Sequence, residues 1–226
     1  MTVGEYFGDW SKVIDLKEAD RILKKLSSSD VPVCPPLKDV FKAFTLCPLN
    51  NLRVLILSQD PYPQKGVATG IAFGNSKDTP IESYSPSLGI IRESVIDFTR
   101  QHGITIFDPS LEKWEEQGVL LLNSALTCQL GRVGSHTLLW WPFMKSLLTN
   151  LSCYHTGVVY VLMGNQAQNL EPFINSRFNH TIRIRHPSWY ARNKTRMPSD
   201  IWNEVNEILI GQNGYGIEWY QEHKVI

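Results

Sequence analysis

The stretch VLILSQDPYP, Val54 to Pro63, is four aliphatic residues that run without polar alternation into a stiff polar turn. A strand that shows no alternation is covered on both faces, as strands of parallel sheets are. Pro61 and Pro63 then restrict the backbone of the turn. Gln59, Asp60 and Tyr62 are therefore held at the exit of a buried strand rather than on a free loop.

Three further runs read as strands: GVLLLNSAL from Gly118, GVVYVLMG from Gly157 and TIRIRHP from Thr181. The first two are nearly continuous aliphatic, whereas TIRIRHP alternates and predicts a more exposed edge. Between the strands, SPSLGIIRESVIDFTRQHG sets Leu88, Ile91, Val95 and Phe98 at three- or four-residue steps, the spacing of one helix face. SHTLLWWPFMKSLLTNLS and NQAQNLEPFINSR read as further helices, and another is expected around Ser11 to Leu26. Connections this long suit right-handed crossovers rather than hairpins. The fold class is α/β: a single-domain, three-layer α/β/α sandwich over residues 1–226, with a central, mainly parallel four-stranded sheet.

A chain of 226 residues can bury a full core. Its 22 basic and 22 acidic residues cancel, which argues against a protein that coats nucleic acid generally but leaves room for a local patch. The N-terminus lacks a charged stretch followed by an apolar one, and no apolar run approaches about 18 residues. The expectation is a soluble protein without a membrane partner, cytoplasmic, or nuclear in a eukaryotic or viral-host setting. Cys34, Cys47, Cys128 and Cys153 are scattered without a C-x-x-C pair, so reduced thiols are expected and a metal site is not.

Open parallel sheets bind ligands at the carboxyl ends of their strands. Here those ends are Gln59-Asp60-Pro61-Tyr62, Asn123-Ser124, Gly164-Asn165 and His186-Pro187-Ser188. Singly, Asp60 reads equally as a turn residue, and His186 as a strand cap or a satisfied core histidine. A buried Asn123 is harder to dismiss, because its amide needs several hydrogen-bond partners. Their coincidence at strand ends favours a site.

Other signals are weaker. GVATGIAFG is neither G-x-G-x-x-G nor followed by G-K-[ST], so a mononucleotide phosphate loop is not expected. Ser135-His136 lacks a G-x-S-x-G elbow to accompany it. From Arg177 to Arg196 the chain carries six Arg or Lys residues, two His and no acid, interleaved with Trp189 and Tyr190. That composition suits a polyanion gripped beside the candidate His186.

Taken in order, LILSQDPYP, GIAFG, SPSL, LLLNSALT, SH, VLMGNQAQ and HPS closely resemble the motif series of family 1 uracil-DNA glycosylases. The resemblance runs from about CPPLKDVFKAFTLCPLNNLRVLIL to a terminal GIEW. It implies release of free uracil from single- or double-stranded DNA by base flipping and hydrolysis of the N-glycosidic bond, leaving an abasic site. It implies no cofactor and no metal. Asp60 would position water and stabilise the sugar cation, and His186 would hydrogen-bond the departing base. Asn123 would read the uracil edge, Phe73 would stack on the ring, Tyr62 would exclude the thymine methyl, and the Gln59 amide would assist at the leaving oxygen. Ser87, Gly164, Asn165 and Ser188 match loops that pinch the DNA backbone, and Ser135 and His136 are site-adjacent. A proteinaceous inhibitor of such enzymes is an expected partner, and a monomer the expected state.

The chain departs from the family pattern at Ser58, where Gly is usual, and at Pro63, where His is usual although poxvirus members carry Pro. HPSWY places Tyr190 where a wedge leucine usually stands, with Trp189 or Arg192 as alternatives. A glycosylase-like DNA-binding or scaffold protein with weakened catalysis is the alternative reading, and an N-glycosidase of free nucleosides a further one. Retention of Asp60, Asn123, Phe73 and His186 together argues against the former, and the basic run is not required by the latter.

Overall fold

The computed structural model describes residues 3–99 and 105–222. Four parallel strands form the central sheet: β1 (Val54–Ser58), β2 (Val119–Asn123), β3 (Val159–Met163) and β4 (His180–Ile184), in the order β2-β1-β3-β4. Two short antiparallel pairs, Val33–Cys34 with Cys128–Gln129 and Thr105–Ile106 with Gln221–Glu222, lie outside it. The helices that matter for the site and core are α1 (Leu16–Ser27), α2 (Pro86–Thr99), α3 (Glu112–Glu116), α4 (Thr137–Tyr154), α5 (Pro187–Asn193) and α6 (Asp200–Asn213).

Because successive strand residues point to opposite faces, the aliphatic runs feed two cores at once. Leu55, Leu57, Leu120, Leu122 and Tyr160 pack with Ile22 of α1 and Phe143 and Leu147 of α4. Val54, Ile56, Val119, Leu121 and Val161 pack with Leu88, Ile91 and Val95 of α2 and Trp202 and Val205 of α6. Each such side chain removed from water stabilises the fold by about 1.5–3 kcal/mol before entropy is counted. This is the expected three-layer arrangement, with β4 at an edge and its burial alternating.

Two helices differ from expectation. The helix expected from Ser11 begins at Leu16, because the Asp15 carboxylate accepts the N–H groups of Lys17 and Glu18 and caps it there. Gly8–Lys12 forms a 3₁₀ turn instead. The segment NQAQNLEPFINSR splits into a one-turn helix, Asn165–Gln168, and a 3₁₀ turn, Glu171–Phe173. Pro172 cannot donate to a continuing helix and starts a new turn. The end of the helix expected over SPSLGIIRESVIDFTRQHG, residues 100–103, lies outside the described residues.

Strand β2 is an edge strand that is buried along its whole length. At its centre the outward backbone groups of Leu121 are taken up by side chain and loop: Leu121 N–H donates to Glu115 Oε1 at 2.9 Å, and Ala72 N–H donates to the Leu121 carbonyl at 3.2 Å. Glu115 is fully buried, and desolvation raises its pKa well above the ordinary 4.5, favouring the protonated form in the fold. Above 4.5 the unfolded chain releases this proton while the folded protein keeps it, so stability falls as pH rises from there towards the folded pKa. Glu115→Gln keeps the acceptor and removes that cost. Thermal melts at pH 7 should show the variant higher by about 2–4 °C or more, with the difference vanishing towards pH 4. Equal melting temperatures at pH 7 would refute a protonated Glu115.

Candidate active site

The carboxyl ends of β1, β2 and β3, and the loop after β4, open onto one side of the sheet. A narrow pocket there is lined by Ser58, Asp60, Tyr62, Phe73, Asn123 and His186. The parallel register places Ser58 beside Asn123 at the two strand ends. A cleft of ≈ 700 Å³ adjoins it, lined by Gln59, Gly164, Asn165, Arg185, Ser188 and Arg192 among others.

Asp60 leaves β1 with its Oδ2 accepting the Gly134 N–H at 3.0 Å. Gly134 adopts φ +76°, a conformation that glycine takes without strain, and thereby aims its N–H at the carboxylate. Asp60 Oδ1 is buried with no hydrogen-bond partner. Burial raises the carboxyl pKa, while the Gly134 N–H and the nearby Gln59 side chain pull it down. The turn is braced from behind: the Pro63 carbonyl accepts Gly131 N–H at 2.8 Å, and the Pro61 carbonyl accepts the Cys128 thiol at 3.5 Å. Pro63 thus supports the loop through its carbonyl, although it offers neither an imidazole nor an N–H.

Asn123 ends β2 and is buried, and its Oδ1 also lacks a partner. A buried acceptor left unmatched costs about 1–3 kcal/mol. Two such acceptors on residues lining one pocket suit a ligand that donates hydrogen bonds. Phe73 is buried at φ +66°, a strained value for a residue with a side chain, and the Tyr62 hydroxyl donates to its carbonyl at 3.1 Å. The Phe73 ring stands 5.6 Å from the His186 ring, tilted by 50°.

His186 is the N-cap of α5, its Nδ1 accepting the Ser188 N–H at 3.1 Å. Its Nε2 faces Ser58 Oγ at 3.1 Å. Burial, helped by the Arg192 charge, lowers its pKa to about 4, so the ring is neutral at physiological pH. Gly164 permits this approach: a Cβ there would lie 2.8 Å from His186 Cβ.

The residues expected to hold DNA divide. Asn165 is exposed on the cleft rim, and Ser188 and Arg192 line the cleft. Gly164 spends its N–H on the Ile184 carbonyl at 2.8 Å, so its contribution is the close approach and not a free amide. Ser87 is buried and lines the inner pocket rather than the cleft. Tyr190, the expected wedge, is only 7 % exposed and packs into the core between α2 and α5. Its neighbours are the accessible ones: Arg192 is exposed, and Trp189 is half-buried beneath the Arg185 guanidinium, 4.2 Å from its ring centre. The basic run is also thinner than it reads, because Arg183 pairs with Glu171 and Arg196 with Asp97.

Gly134 carries no motif signal of its own in the sequence, although it immediately precedes the site-adjacent Ser135-His136 pair. Those two serve the loop: Ser135 Oγ accepts Gln129 N–H, and His136 Nδ1 meets Thr127 Oγ1 at 2.8 Å. A second groove, of ≈ 630 Å³, lies at the opposite ends of the strands around Arg53, His155 and Tyr215. Its histidine contacts the Leu52 carbonyl at 2.9 Å; its one unpartnered buried atom among the described residues is a donor, Arg53 Nε, and not a pair of acceptors.

Comparison with known proteins agrees with this geometry. Residues 44–210 match the model of the uracil DNA glycosylase superfamily. The uracil-DNA glycosylase of Fusobacterium nucleatum is 31% identical over 230 residues, covering 96% of this chain and 97% of the relative. That of Yersinia pestis is 35% identical over 193 residues, covering 83% of this chain and 81% of the relative. Among solved structures, mimivirus uracil-DNA glycosylase superposes with a TM-score of 0.74 at 23% identity, covering 97% of this chain and 93% of that one. A variant of the mimivirus enzyme in complex with UGI superposes equally, with a TM-score of 0.74 at 22% identity and coverage of 89% and 87%. The family match over most of the chain, the two relatives above 30% and the shared fold place the sequence: it belongs to the uracil DNA glycosylase superfamily.

Proposed function

We propose that this protein excises uracil from DNA, hydrolysing the N-glycosidic bond to leave an abasic site as the first step of base excision repair. The observation that carries the reading is the pair of buried, partnerless acceptors, Asp60 Oδ1 and Asn123 Oδ1, in one pocket with a neutral imidazole. Asn123 Oδ1 accepts the ring N–H of uracil. Cytosine has no hydrogen at that nitrogen and is refused. Phe73 supports the ring, and Tyr62, locked to the Phe73 carbonyl, leaves no room for a methyl at C5.

As the bond breaks, its electron pair stays with the base and the sugar becomes cationic. Asp60 places a negative charge and an oriented water at that cation. The neutral His186 end supplies hydrogen bonding to the oxygen that gains charge. Extruding the nucleotide costs about a few kcal/mol, which phosphate contacts in the cleft at Asn165, Ser188, Arg185 and Arg192 offset. The mimivirus complex with UGI supports a proteinaceous inhibitor as a second partner.

Release of free uracil from single-stranded and duplex uracil oligonucleotides, with a chelator present, tests the reading. Release from both is expected, weakening between about 50 and 200 mM salt as phosphate contacts are screened. Absence of uracil release would refute the activity. Release that ignores salt would refute the phosphate-gripping cleft.

A further inference from the structure

We propose that Ser58 is a catalytic residue of the base-release step, its hydroxyl standing between His186 and the departing uracil and donating directly to the oxygen that gains charge. The inference rests on the uracil-excising reading and specifies which group touches the base. It follows from tracing the hydrogens along one continuous chain, Arg192–Ser188–His186–Ser58.

Arg192 Nη1 donates to Ser188 Oγ at 3.1 Å, and a guanidinium has no acceptor to offer in return. Ser188 Oγ, 2.9 Å from His186 Nδ1, therefore turns its own hydrogen towards that nitrogen. The Ser188 N–H reaches Nδ1 as well, at 3.1 Å. With Nδ1 an acceptor, the single proton of the neutral ring sits on Nε2, which faces Ser58 Oγ at 3.1 Å. Ser58 Oγ accepts it, and the hydroxyl hydrogen remains to be given.

Ser58 is 1 % exposed and lines the pocket, so that hydrogen has no route to bulk water. The two buried acceptors nearby, Asp60 Oδ1 and Asn123 Oδ1, have no partners, so the hydrogen is not spent on them either. It is left for a ligand. The register that sets Ser58 beside Asn123 puts the donor next to the group that reads the base edge.

In the step itself the N-glycosidic bond breaks and its electron pair spreads onto the uracil oxygen. Ser58 O–H donates a hydrogen bond to that oxygen without transferring its proton, and His186 Nε2–H strengthens the donation by hydrogen-bonding the serine oxygen. His186 stays neutral throughout. Water adds to the sugar and gives up its proton to Asp60 or solvent.

A donor to the leaving group matters less when the leaving group is intrinsically better. Single-turnover release of uracil and of 5-fluorouracil, whose ring nitrogen is more acidic, from otherwise identical single-stranded oligonucleotides separates this role from a structural one. Ser58→Ala should slow uracil release about 10- to 100-fold and 5-fluorouracil release at least about threefold less. Both rates come from one preparation, so any misfolded fraction cancels in their ratio. No loss on uracil, or a loss as large or larger on 5-fluorouracil, overturns the proposal while leaving the activity assigned. Wild-type protein that releases neither base overturns the reading beneath it.

Discussion

Asp60→Asn should lower the rate of uracil release by about 10³-fold with little change in KM, since the charge it removes matters only once the sugar becomes cationic. Asn has the same shape and can still face the Gly134 N–H that holds Oδ2, so the pocket persists. Burial raises the Asp60 pKa, so wild-type activity should fall on the acid side as the carboxyl takes up a proton. In Asp60→Asn that acid limb should disappear along with most of the rate. Single-turnover rates from pH 4 to 9, taken on oligonucleotide at saturation, measure both effects. Equal activity in wild type and variant would remove Asp60 from the mechanism.

His186→Ala should cost about 10- to 100-fold in the same assay, because it removes the Nε2–H that holds and polarises the Ser58 hydroxyl donating to the developing anion. The pH dependence separates two forms of this role. An imidazolium donor would make activity decline as pH rises through the ordinary histidine value of about 6.5. A neutral donor, with its pKa held down to about 4 by burial and Arg192, leaves the rate flat there. The expected profile is flat between pH 6 and 8 in wild type. A fall across that interval that His186→Ala abolishes would show that the charged ring does the work.

Much of this architecture is legible in the chain. Unalternating aliphatic runs at Val54, Val119 and Val159 can be satisfied only with both faces covered. A parallel sheet then dictates that the polar residues at the strand exits converge. Asp60, Asn123 and His186 meet for that reason, though Asp60 and His186 are 126 positions apart along the sequence.

What stayed hidden depends on contacts between distant segments. Ser58 reads as a departure from a motif, and its hydrogen bond to His186 spans 128 positions. Arg183 and Arg196 read as free cations until the fold brings Glu171 and Asp97 to them, the latter from 99 positions away. Tyr190 looks exposed in HPSWY, yet one residue on a short helix is the difference between facing the cleft and facing the core. Trp189 takes the first place and Tyr190 the second. The turn chemistry that fixed the start of α1 was present as Asp15, but helical periodicity alone does not locate a cap.

The two margins of the sheet are protected by unlike means. Along β2 the Glu115 carboxyl and the Ala72 amide occupy the groups on which another chain could build, so that side is closed chemically. Among the described residues β4 pairs with β3 alone, and what stands on it is polar: exposed His180 and the Arg183–Glu171 ion pair, with Arg185 just beyond its end. Polar and charged side chains on an open strand discourage a second copy from adding its own strand there. Arg185, just past the strand, lines the cleft where a polyanion would lie. The polar guard of the open strand and the charge that attracts nucleic acid therefore meet at one residue, Arg185.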